Sequence, residues 1–240
     1  MWAVPYTLRP MGEIGSDDGI PVLPRAAWGA DERRRFADGE ERWPPTYATA
    51  EALVVHHTRT VNEDPSPAAT LRAIYAFHAD VRGWGDIGYH YVIAPDGRAF
   101  AGRWDAGRPG VVAGHALGHN NGTEGIALLG NFEDALPTPE AWRTLVALLG
   151  WRCRVLGIDP LGQSGPLGPV GARRSFPSII GHGDCRPTTC PGALLADELP
   201  RLRDEVAAVV APAGQLRVSR QTSRNGSPAK AARTASGSTA

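Results

Sequence analysis

Ile179-Ile180-Gly181-His182-Gly183-Asp184-Cys185-Arg186-Pro187-Thr188-Thr189-Cys190-Pro191-Gly192 places a histidine directly after a short β-branched run and a cysteine eight positions later. Pro187 and Pro191 stiffen the link between them. Imidazole and thiolate are ligands that zinc prefers, and a strand end followed by a rigid loop can hold both on one ion. A catalytic zinc keeps three protein ligands and an open position for water, so the rest of the chain must supply a third ligand.

The best source is Leu53-Val54-Val55-His56-His57-Thr58, an apolar, β-branched run that predicts a buried strand ending in two histidines. Successive strand side chains point to opposite faces, so only one of His56 and His57 can face a common site. Taken alone, a strand-end histidine is commonly a hydrogen-bonded structural residue, and a buried cysteine is commonly inert packing. His56 and His182 are far apart in sequence, so spacing does not by itself establish a metal. No HExxH, paired CxxC or GxSxG motif offers a rival centre.

Around these stretches the pattern alternates strands and helices. Ser66-Pro67 predicts a helix start, with Leu71, Ile74, Tyr75 and His78 on one face. Tyr89–Ala94 and Ala99–Ala101, joined by Pro95-Asp96-Gly97-Arg98, predict a hairpin. Residues 102–123 form a glycine-rich loop carrying His115 and His119, and loops of that length in compact domains are usually functional. Glu124–Phe132 predicts a strand. Thr138-Pro139-Glu140 caps a helix whose stripe runs from Trp142 through Cys153 to Leu156 and stops at Gly157. A last helical segment covers Leu194–Val210, interrupted near Pro200. Residues 1–23 and Glu32–Pro45 read as irregular.

The 240 residues fit one domain plus tails, and 42% hydrophobic residues suffice for a core. With 25 basic and 25 acidic side chains the net charge is zero, so nothing points to nucleic acid or an anionic membrane. No apolar run is long enough to span a bilayer. The first residues do not read as a signal peptide, so either the protein is made in the cytosol, with later release, or its export signal is missing from this chain or of another kind. From residue 212 the chain carries Arg217, Arg220, Arg224, Lys230 and Arg233 without an acid, and reads as a basic disordered tail suited to anionic wall polymers. Cys153 and Cys185 are left over beside Cys190, and they could pair as a disulfide or stay as two thiols.

Four stretches together resemble the zinc N-acetylmuramoyl-L-alanine amidases, a family that includes the peptidoglycan recognition proteins and the phage lysozyme-type amidases. They are Arg-x-x-Trp-Gly-Ala in Pro24–Asp31, Val-Val-His-His-Thr in Val54–Thr58, Gly-Trp-Gly-Asp-Ile-Gly-Tyr in Gly83–Ile93, and Gly181–Gly192, with Gly125–Phe132 also fitting. The resemblance spans about residues 24–205. It implies one α/β domain over residues 24–211, with a central mixed sheet flanked by helices and a zinc groove at the strand ends. It implies His56, His182 and Cys190 as ligands of a single catalytic Zn2+, with His57 packing on the other face. It further implies Tyr89 facing the reacting water, Thr188 near the developing oxyanion, and His115, Trp84 and Asn120 along the substrate groove.

Peptidoglycan or its muropeptides would be the partner, the envelope or extracellular wall the site of action, and a monomer the working unit. The implied reaction is hydrolysis of the amide between N-acetylmuramic acid and L-alanine. Two alternatives share the fold. Recognition modules that only bind tend to lack the ligand cysteine, and recycling amidases tend to carry a glutamate where Ala127 stands and an aspartate in place of Cys190. This chain departs from the common pattern at Gly183, where many members have arginine, and at His90, where asparagine is common.

Overall fold

The computed structural model describes residues 14–15 and 20–211, and the basic stretch 212–240 lies outside the described residues. Its centre is a seven-stranded mixed sheet. The strands are β1 (Ile14–Gly15), β2 (Pro21–Leu23), β5 (Ala52–His57), β6 (Tyr91–Ile93), β7 (Ala99–Ala101), β8 (Thr123–Leu128) and β9 (Ile179–Gly181), in spatial order β1-β2-β7-β6-β8-β5-β9. A separate two-stranded ribbon pairs β3 (Phe36–Ala37) with β4 (Glu40–Glu41).

Strands β6, β8, β5 and β9 run parallel, whereas β6 and β7 form an antiparallel pair. All six residues of β5 and of β8 are buried, as expected for strands covered on both faces. Period-two alternation sorts β5 between two layers. Leu53 and Val55 meet α3 (Pro139–Leu156) and α6 (Leu199–Val210), packing with Leu145, Leu149, Leu202 and Val206. Ala52 and Val54 face the other side, where Leu167, Phe176, Ile180 and Cys185 pack. On that same side Val92 and Ala127 meet α1 (Arg25–Trp28) and α2 (Pro67–Ala76) through Trp28, Leu71 and Tyr75. A buried ion pair fastens α3 to β8: Arg152 donates to both oxygens of Glu124, at 2.8 and 2.7 Å, and both residues are fully buried.

Helix α3 begins and ends where its caps require. Thr138 accepts from Ala141 N–H at 3.1 Å, and Gly157 closes the helix in the left-handed region at φ 68°. Several expectations are corrected. The lead-in is not irregular at Ile14–Gly15 and Pro21–Leu23, because Val22 pairs with Ala99 and extends the sheet; strands this short carry no readable alternation. The stretch 32–45 contains a 3-10 turn, Glu32–Arg35, and the β3–β4 ribbon, held inward by a buried Arg35 stacked on Trp104. The last helical segment breaks at Glu198, between α5 (Ala193–Asp197) and α6, and Pro200 sits in the first turn of α6, where no N–H is needed. Ser66 precedes α2 but makes no capping bond through its hydroxyl.

Candidate metal centre and groove

The three candidate ligands meet at the carboxyl ends of two neighbouring parallel strands. His56 ends the inward-facing row of β5, and His182 follows β9 directly as the first residue of the short helix α4 (His182–Cys185). Cys190 returns from the proline-stiffened loop after α4. The donor atoms of His56, His182 and Cys190 all lie within 4.8 Å of one another. Cys190 Sγ is 3.6 Å from His56 Nδ1, and it accepts the backbone N–H of His57 at 3.4 Å.

The loop carrying Cys190 is pinned from several directions. Gly183 N–H donates to Cys190 O at 2.8 Å, Cys190 N–H donates to Thr188 Oγ1 at 3.3 Å, and Asp184 accepts from Gly181 N–H at 2.9 Å. Gly192, at φ 101°, lies against the backbone of Phe132 so closely that a Cβ would overlap it. His57 faces the opposite layer with Phe132, as alternation requires.

Burial sets the protonation states. It pushes the Cys190 thiol up to about 12 and brings His182 down to about 4, and it holds His56 and His115 well below the ordinary imidazole value. The histidines are therefore neutral, with lone pairs available. A bound cation would reverse the penalty on the thiolate. His182 Nε2 is buried without a hydrogen-bond partner. Two neutral imidazoles, one of them with a buried unpartnered nitrogen, and a thiol make a donor set that suits zinc.

A cavity of about 590 Å3 opens beside these residues. Tyr89, Trp84, His115, Asn120 and His182 line it, so the expected groove residues are brought together. The Tyr89 ring lies 5.3 Å from that of His56, and burial raises its hydroxyl above the usual phenol range, leaving it protonated. Asn120 Oδ1 accepts from Ala116 N–H at 2.7 Å, which turns its amide nitrogen outward from that bond. Thr188 is exposed and is not among the lining residues. A second cavity, of about 390 Å3, runs past Tyr47 and Val155 and contains none of the candidate ligands.

Other lining residues were not singled out in the sequence: Arg42, Trp43, His78, Arg82 and Arg186. The sequence pattern places His78 on the apolar face of a helix. Instead α2 gives way at Phe77–Val81 to a π-turn, which re-aims His78 beside Trp84 and Tyr89. Arg186 supplies near His182 the positive charge that Gly183 lacks. Asp86 underlies this wall of the groove. Its two oxygens accept from Arg25, Arg103, Ile87 N–H and Trp104 N–H at 2.8–2.9 Å, and Arg103 in turn stacks on Trp43 at 4.1 Å. A fully partnered carboxylate is the form in which a buried charge is tolerated.

His90 is structural. It holds Val111 O at 2.7 Å and accepts from Gly125 N–H at 2.8 Å, tying the 102–122 loop to β8. Cys153 and Cys185 are free thiols in the clusters of opposite sheet faces, which removes the disulfide alternative.

Residues 46–193 match the N-acetylmuramoyl-L-alanine amidase family. A human protein named N-acetylmuramoyl-L-alanine amidase is 34% identical over 220 residues, covering 88% of this chain and 33% of that protein. The chain thus spans about a third of the length of that relative. Among solved structures, Drosophila PGRP-LB aligns with TM-score 0.56 at 25% identity, covering 74% of this chain and 91% of that one. The amidase LysC of Clostridium intestinale aligns with TM-score 0.53 at 27% identity, covering 71% and 94%.

Proposed function

The chain belongs to the N-acetylmuramoyl-L-alanine amidase family, and from that membership we propose that it hydrolyses the amide between N-acetylmuramic acid and L-alanine in peptidoglycan. The observation that carries the reading is the convergence of His56, His182 and Cys190 donor atoms within 4.8 Å at the edge of the groove. One Zn2+ would be held by these three residues. When bound there, zinc supplies Lewis-acid activation of water and of the scissile carbonyl.

The chain's own groups do the rest. Tyr89, kept protonated by burial, orients the attacking water through its oxygen and offers its proton toward the leaving amine of L-alanine. Thr188 Oγ accepts from Cys190 N–H, which leaves its own proton free to stabilise the developing oxyanion. Trp84 and Trp43, with ring centroids 6.4 Å apart, give the groove apolar walls, and Asn120 and His115 add polar contacts. Arg82 and Arg186, with Arg42 held 3.8 Å from Asp80, line the groove, a charge suited to the carboxylates of a stem peptide.

The wall is the site of action in this reading, with peptidoglycan or muropeptides as partner and residues 24–211 as a monomeric catalytic domain. No helix among the described residues is long and apolar enough to cross a membrane. The cysteine at 190 and the alanine at 127 favour a wall amidase over the binding-only and recycling alternatives.

The test is hydrolysis of purified peptidoglycan, following new N-terminal L-alanine. Release that stops with a chelator and returns with zinc is the expected result. Wall binding without any such release, with zinc supplied, would overturn the reading.

A further inference from the structure

We propose that His115, together with Thr123, is a positioning device for the metal ligand His56, setting its tautomer and aim through a directional chain of hydrogen bonds. The inference rests on the metal assignment above and gives His115 a role beyond lining the groove.

The geometry leaves one consistent arrangement. His56 Nδ1 is the nitrogen nearest Cys190 Sγ, at 3.6 Å, so it is the nitrogen that faces the ligand cluster. To ligate, Nδ1 must be unprotonated, and the His56 proton must then sit on Nε2. His56 Nε2 lies 3.0 Å from His115 Nδ1, which therefore accepts. That places the His115 proton on its own Nε2, 3.3 Å from Thr123 Oγ1. Thr123, having accepted, donates its hydroxyl proton to His119 O at 2.5 Å. The backbone carbonyl at the end can only accept, so the whole chain has one polarity. Reversing it would put the His56 proton on Nδ1, between the ring and Cys190, and abolish that ligand. Metal-bound imidazoles are commonly fixed in this way by a partner on their second nitrogen, and losing that partner typically weakens metal binding 10- to 100-fold.

The surrounding structure is shaped to hold this arrangement. His56, His115 and Thr123 are all buried, at 1%, 6% and 3% exposure. The His115 ring lies over Gly125 on β8, where a Cβ would overlap it. The ring of His90, itself tied to β8, meets His115 edge-on at 5.4 Å. Thr123 is the first residue of β8 and does not line the groove, so its hydroxyl acts on the metal only through His115.

The experiment measures zinc affinity of the full chain by competition with a chromophoric chelator, alongside unfolding of the metal-free protein. Thr123→Val should weaken zinc binding by about 3- to 10-fold and His115→Ala by about 10- to 100-fold. Thr123→Ser, which keeps the hydroxyl, and His115→Asn, which keeps a polar atom near the Nδ1 position, should stay within about threefold of wild type. Wild-type affinity in both Thr123→Val and His115→Ala would overturn the proposal. So would equal losses in the conservative and disruptive variants, which would mean packing alone is responsible. Graded zinc affinity in a protein that releases no L-alanine from peptidoglycan would uphold the positioning role and remove the amidase reading, so the two fail separately.

Discussion

His56 and His57 are consecutive, equally buried residues of one strand, and they face different chemistry. His56 turns toward a sulfur, a second imidazole and an open groove, with its far nitrogen engaged by His115. His57 turns into the layer of α3 and α6, against Phe132, where its Nδ1 takes a long 3.4 Å bond from Phe132 N–H and its Nε2 has no partner. Burial lowers the basicity of both. What separates the candidate ligand from its packing neighbour is therefore the presence of other donors within one ion's reach, rather than burial or unusual basicity. His57 still assists the site, because its backbone N–H points at Cys190 Sγ.

The sharpest way to break this contrast is to remove one side chain from each face. Cys190→Ser should reduce amide hydrolysis to background while muropeptide binding stays measurable by calorimetry, and full activity would dispose of the metal assignment. His57→Leu keeps the volume and the backbone N–H, so zinc affinity should stay within about threefold and stability within about 2 kcal/mol. Loss of zinc binding in that variant would erase the distinction between the two faces.

Tyr89→Phe should lower kcat by about 10^2- to 10^4-fold with little change in zinc affinity, separating proton handling from metal binding. A smaller effect is expected at Gly125. Alanine there drives the His115 ring from its seat, at a cost of about 1–3 kcal/mol in denaturant unfolding. The last concerns acid. His56, His115 and His182 have folded-state values below the ordinary 6.5, with His182 near 4. As pH falls from 6.5 to 5 the unfolded chain therefore binds protons that the folded chain refuses. Metal-free protein should lose stability across that window, by about 1.5 kcal/mol for each imidazole that stays neutral in the fold, measured by urea unfolding in the presence of a chelator. A flat profile would mean that these imidazoles are charged in the fold.

The parts legible in the sequence were those with local causes. The Thr138 cap, the Gly157 stop and the apolar runs of β5, β8 and β9 each identify an element from a few adjacent residues. The candidate ligand set came from resemblance, since no spacing rule links His56 to His182. Long-range bonding hid the rest. Val22 becomes a strand residue only because Ala99 is its neighbour. The π-turn that aims His78 has no signature in Phe77–Val81. The sequence places Thr123 only at the end of the glycine-rich loop, yet it opens β8 and stands at the far end of the hydrogen bonds from His56.

The placement of the candidate ligands on and after adjacent strands has a consequence for the integrity of the chain. The stretch 169–175 is solvent-exposed throughout, with Val170 94% exposed, and it divides the piece bearing His56 from the piece bearing His182 and Cys190. A protease that nicked the backbone there would leave two fragments joined along the β5–β9 edge. A metal ion spanning them would act as a removable rivet, so that chelation would loosen the severed halves and added metal would draw them back together.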